Sequence, residues 1–149
     1  VTAVGDDIYH LLFHYKYVVE LTSVGWAQAV EMRDTGALAC GMEINATTNP
    51  AGLRVASDLG TTAFTATVAP GAEFDAELTY DGVSGDCSLE IVDVESDTAA
   101  GTAAQVVDTV RLSNAQNEAQ GEFSHIAACV GGCGVHEATF PATFAFALE

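Results

Sequence analysis

Basic residues are nearly missing from this chain. Lys16, Arg33, Arg54 and Arg111 stand alone against 21 Asp and Glu, for a formal charge of −17 over 149 residues. Nucleic-acid binding needs several clustered phosphate contacts, and four scattered cations supply no such patch. Anionic membrane surfaces are disfavoured for the same reason. No apolar run approaches the ~18 residues of a membrane-crossing helix, so membrane insertion is not expected. A phosphate-binding Gly-x4-Gly-Lys-Ser/Thr loop is absent, as is a Gly-x-Ser-x-Gly nucleophile elbow. No repeat of 20–50 residues is present, which argues against a solenoid. Several routine enzyme classes therefore have no support in the sequence, and no catalytic residue is assigned.

What is present suffices for a core. Hydrophobic residues make up 49% of the chain and the mean hydropathy is +0.25. A chain of this size buries roughly two thirds of its unfolded surface. The acidic excess has three readings: adaptation to concentrated salt, an ordinary acidic secreted protein, or a surface neutralised by divalent cations.

Alternation is the main structural signal. Phe13, Tyr15, Tyr17, Val19 and Leu21 alternate with His14, Lys16, Val18 and Glu20, which predicts a strand over 12–22. Asp6 and Asp7 ahead of Ile8 and Leu11 allow a turn of helix or an arm through residue 11. Val24–Met32 reads as a strand with Trp26, Gln28 and Val30 on one face, and Leu38–Ile44 as another. Residues 45–52 read as a loop by composition. Thr61–Val68 and Glu73–Tyr80 alternate cleanly. Cys87–Glu95 reads as one strand with a bulge at Val92. Residues 96–105 read as a loop with a short helix allowed over 99–107, Val106–Leu112 as a strand, and 113–121 as a polar loop. Phe123–Val130 and Thr139–Leu148 close the chain. The sum is an all-β fold, an antiparallel β-sandwich or jelly roll of roughly eight or nine strands. Residues 1–22 form an N-terminal arm or first strand and 23–149 the sandwich, one domain overall.

Four cysteines, Cys40, Cys87, Cys129 and Cys133, permit two disulfides in any of three pairings. Residues 125–136 also place His125, Cys129, Cys133 and His136 close in sequence, a donor set that suits zinc if the thiols are reduced. Asn45-Ala46-Thr47 is an N-glycosylation sequon. With the cysteines and the low lysine content it points to an extracellular or virion surface. No basic segment resembling a signal peptide precedes Asp6, and the initial Val fits a removed leader, a literal valine start or a longer chain. His10 and His14 share a face of a strand but lie ~13 Å apart, too far for one ion. Asp81–Asp86 loosely resembles a calcium loop without the spacing of an EF-hand. Asp93, Glu95 and Asp97 alternate as carboxylates can in a glycosidase. Trp26 with Tyr9, Tyr15, Tyr17 and Tyr80 makes either an aromatic platform for sugar or part of the core.

Three functions follow. The first is a self-assembling subunit of a virion or extracellular filament. Its partners are copies of itself, and the Phe13/Tyr15/Tyr17/Val19/Leu21 face fills a neighbour's groove by strand exchange. The alternative is a secreted carbohydrate-binding sandwich, with a glycan or divalent cations as partners. The third is a metal-dependent enzyme built on His125, Cys129, Cys133 and His136. No cofactor is expected for the first; the second predicts an exposed aromatic cluster or a calcium site, and the third a bound metal, zinc for this donor set.

Overall fold

A computed structural model describes residues 7–19, 25–45, 47–112, 120–131 and 147–148. Eleven strands are formed among them: β1 Ile8–Val19, β2 Trp26–Asp34, β3 Ala37–Asn45, β4 Ala51–Ser57, β5 Thr61–Val68, β6 Glu73–Asp81, β7 Cys87–Ile91, β8 Glu95–Ala99, β9 Thr109–Leu112, β10 Gln120–Val130 and β11 Ala147–Leu148. They make a five-stranded sheet in the order β10-β1-β6-β7-β8 and a six-stranded sheet in the order β11-β9-β2-β3-β4-β5. All pairings are antiparallel except the short β11 against β9. The expected β-sandwich is the fold observed.

Each sheet turns alternate side chains inward. From the first come Tyr9, Leu11, Phe13, Tyr15, Ala76, Leu78, Tyr80 and Leu89; from the second come Ala27, Val30, Met32, Met42, Ile44, Leu53 and Val55. Cys40 of β3 and Cys87 of β7 join in a disulfide that ties one sheet to the other through this core. Every charged position of β6 from Glu73 to Glu77 falls on the outward face, as its alternation requires.

The arm reading of the N-terminal segment is corrected. β1 lies inside its own sheet, hydrogen-bonded to β10 on one side and β6 on the other. Phe13, Tyr15 and Tyr17 are 2%, 1% and 0% exposed, so they fill this molecule's core and leave nothing for a neighbour's groove. Their strand begins at Ile8, so residues 8–11 are extended and not a turn of helix. The side chain of Val19 and all of Leu21 lie outside the described residues.

Other departures have local causes. The stretch from Cys87 to Glu95 is a hairpin, because Asp93 takes a left-handed φ of 60° and reverses the chain between β7 and β8. Asp93, Glu95 and Asp97 therefore do not line one strand face. An irregularity between Gln28 and Val30 puts Val30 inward while Trp26 and Gln28 stay outward. β4 begins inside the stretch assigned to loop, with Leu53 and Val55 packed in the core on either side of Arg54. Residues 100–108 form no helix. They cross between the sheets as an irregular strap, tied by Thr102 N–H to Asp58, Ala104 N–H to the Gly82 carbonyl and Val106 N–H to Asp34. The strap passes so near Gly85 that a Cβ there would lie 2.4 Å from the Gly101 oxygen.

Candidate functional site

Asp81, the first acid of the suggested calcium loop, is engaged in backbone capping. Asp81 Oδ1 accepts the Val83 N–H at 2.8 Å and the Ser84 N–H at 3.3 Å, closing its own turn in the manner of an Asx turn. Cys129 is disulfide-bonded, so the thiolate that the zinc set requires is not available. Cys133 and His136 lie outside the described residues. His125 lies 6.2 Å, ring to ring, from His14. Among the described residues no three His, Cys, Asp or Glu side chains converge as a metal site. Asn45 ends β3, and its side-chain oxygen accepts the Thr47 N–H and hydroxyl at 3.1 and 2.7 Å.

The proposed aromatic platform divides. Tyr9, Tyr15, Tyr17 and Tyr80 are core residues, and burial raises the phenols of Tyr9 (to about 12), Tyr15 and Tyr80. Trp26 alone faces out, half-buried, on the six-stranded sheet. Its indole reaches across β3 to β4, where a Cβ at Gly52 would come 3.3 Å from the ring. Glycine is what lets the ring lie there. The Arg54 guanidinium stacks on the indole at 4.2 Å and its Nε donates to Glu43. Cation–π contact and ion pair together hold both planar groups in place. Gln28 stands opposite Glu43 in the register, and Asn45 opposite Trp26.

One row further, Glu31 is 2% exposed on this same outer face and lies between two arginines. Arg33 Nη1 donates to Glu31 Oε2 at 3.0 Å, and Arg111 Nη1 lies 3.6 Å away. Three of the chain's four basic residues thus share one face. Sequence spacing hid this, because Arg33, Arg54 and Arg111 sit on strands far apart in the chain.

The outer face of the five-stranded sheet is different in kind. His10 Nδ1 pairs with Glu77 at 2.6 Å and His14 Nδ1 with Asp75 at 2.8 Å. The Asp75 hydrogen bond, seconded by Glu73, raises the pKa of His14 above the usual 6.5. Opposite β1, β10 carries an extra residue, since Leu12 faces Ala127 while His14 faces Ser124. His125 sits in that bulge with φ of 51°. The bulge directs its ring edge-on to His14.

No protein-family profile matches the chain, and no curated protein matches it in sequence. Solved structures do resemble it. An alginate lyase from Alteromonas sp. 272 superposes with a TM-score of 0.56 at 9% identity, over 87% of this chain and 74% of the lyase. A heptameric SAP-like pentraxin from Limulus polyphemus gives 0.54 at 9% identity, over 85% of this chain and 65% of the pentraxin. An ancestral congerin gives 0.51 at 11% identity, over 87% of this chain and 99% of the congerin. At such identities these likenesses establish the β-sandwich fold and nothing about chemistry.

Proposed function

We propose that this chain is a secreted carbohydrate-binding module whose site is the outer face of the six-stranded sheet around Trp26. The observation that carries the reading is the Trp26–Arg54–Glu43 stack. A sugar ring presents C–H groups on its faces and hydroxyls around its edge. An indole packs against the first, and a guanidinium, a carboxylate and side-chain amides bond the second. Trp26, Arg54, Glu43, Gln28 and Asn45 supply those groups on adjoining strands, and the ion pair fixes two of them before any ligand arrives. Preorganisation of that kind lowers the ordering cost of binding. The Cys40–Cys87 disulfide supports an oxidising compartment. The alginate lyase, whose name gives a polysaccharide as its substrate, supports the reading only as a glycan met on the same architecture.

The test is a glycan array probed with the full chain, then titration calorimetry on any hit. Binding that falls at least about tenfold in Trp26→Ala, with the fold retained by circular dichroism, supports the site. No glycan bound, or equal binding by Trp26→Ala, overturns it.

A further inference from the structure

We propose that a second site, on the opposite face of the molecule, binds a compact organic cation carrying a protonated primary amine. β1, β6 and β10 enclose a depression of about 280 Å³ on the outside of the five-stranded sheet. Its apolar lining is Leu12 and Val92, with the strand positions Phe13 and Ala76, whose side chains turn to the core, beneath; its polar walls are Asp75 and Glu77 on one side and His14 and His125 on the other. It exists because the bulge at His125 lifts β10 away from the regular ladder and stands an imidazole at the rim.

The lining selects for charge. Glu77 is only 9% exposed, and its one ion pair, to His10, uses Oε1. Its second oxygen takes no bond from a described residue. A carboxylate held this far out of water gains most from a ligand that donates hydrogen bonds and brings positive charge. The groups facing the depression from neighbouring strands have the same sign. Glu73, Asp75 and Glu77 on β6, Glu90 on β7 and Glu122 on β10 share this face, against Lys16 on β1 and the imidazoles of His10, His14 and His125. Low-dielectric walls beneath a field of one sign concentrate counter-ions. A bare metal ion is disfavoured because three ligands do not converge among the described residues. The apolar floor suits an amine attached to a ring about the size of a monosaccharide, with Leu12 and Val92 under the ring and the ammonium against Glu77 and Asp75. Protonation of His14 sets a second cation beside the ligand, so affinity falls as the solution becomes acidic.

The test follows the imidazole C–H signals of the full chain by NMR at about pH 8 and again at about pH 5, with the charge of His14 read at each pH from its own signals. The probe is trans-4-aminocyclohexanol, a sugar-sized ring whose amine stays protonated at both pH values. Cyclohexane-1,4-diol and the N-acetylated probe keep the ring and lack the charge, and an N-acetyl-lysine amide presents the same ammonium on a side chain. Saturable shifts of His14 and His125 with the ring amine, weakened at least about tenfold at acid pH and by Glu77→Gln, support the proposal. Saturation by the lysine amide instead also supports it and identifies a protein side chain as the source. Asp75→Asn alters an exposed group and keeps the test decisive should Glu77→Gln fail to fold. Equal shifts with the neutral rings, or none with either amine, overturn it. Trp26→Ala should leave these shifts unchanged, which separates this site from the proposed glycan face.

Discussion

Glu95 reaches from β8 to β5 and accepts the backbone N–H of Thr65 at 3.0 Å, with the Ala66 N–H at 2.8 Å and the Thr65 hydroxyl at 2.9 Å. β5 slips its register against β4 here, between Gly52 and Arg54. One carboxylate bonds both amides and joins the edges of the two sheets.

A pH dependence follows, with a sign for each group. The backbone hydrogen bonds from Thr65 and Ala66 lower the Glu95 pKa below 4.5. Its contribution is complete above 4.5 and is lost as pH falls through the depressed folded value. His14 runs the other way. Its pKa is raised above 6.5, so its contribution is complete below 6.5 and is lost as pH rises through the folded value. Both act fully only between 4.5 and 6.5. Thermal unfolding measured across pH should peak in that window. Glu95→Gln should flatten the acid limb and His14→Gln the alkaline limb. A wild-type profile that both variants leave unchanged would show that neither pair matters.

Removing the Cys40–Cys87 bridge should cost about 4 kcal/mol. The two cysteines are 47 residues apart, and closing a loop of that length restricts the unfolded chain by about this amount. Denaturant unfolding of Cys40→Ala/Cys87→Ala against wild type, both without reductant, measures it. A loss below about 1 kcal/mol would mean that the reduced chain keeps compact structure.

Much of this architecture was legible because alternation survives wherever one sheet face meets water. β5 and β6 show it along their length, and β1 shows it in Phe13, Tyr15 and Tyr17. It was not legible where backbone geometry broke the period. Asp93 at positive φ turned one apparent strand into two, and the irregularity after Gln28 moved Val30 to the other face. The Trp26 face was half legible. An isolated tryptophan can be read from the sequence, but Arg54 arrives from a strand begun within a Thr/Asn/Pro/Gly stretch that composition assigned to loop. The depression at His14 was not legible at all, since it depends on one extra residue in β10.

Tyr15 carries an unusual liability. Its hydroxyl is buried without a hydrogen-bond partner among the described residues, and its ring packs against Phe123 at 4.9 Å and Phe74 at 5.5 Å. Tyr15→Phe keeps the packing and removes a polar atom buried at a cost of ~1 kcal/mol or more, so it should raise the melting temperature. Gly121→Ala should do the reverse. A Cβ at Gly121 would lie 2.1 Å from the Tyr15 ring, and the aromatic cluster leaves little room to retreat. A loss of ~2 kcal/mol is expected, as for an overpacked core. A neutral Gly121→Ala would mean that β10 moves outward easily.

Glu31 gives the sharpest contrast between charge and shape. Its carboxylate is buried on the outer face, while Arg33 and Arg111 have side chains 20% and 26% exposed. Glu31→Gln preserves the volume but removes the anion on which both guanidiniums converge. Cutting one member from a fully buried pair costs ~3–5 kcal/mol, and partial exposure of the arginines brings the expected loss to ~2 kcal/mol. Arg33 also bonds the Gly36 carbonyl through Nε at 2.9 Å, so it stays anchored in the variant. Arg111→Gln in the Glu31→Gln background should then recover part of the loss by relieving repulsion between the two cations. A double-mutant cycle by chemical denaturation reads the coupling directly. A loss that Arg111→Gln deepens by its full single-mutant amount would show that Glu31 supports the sheet through packing and not through its charge.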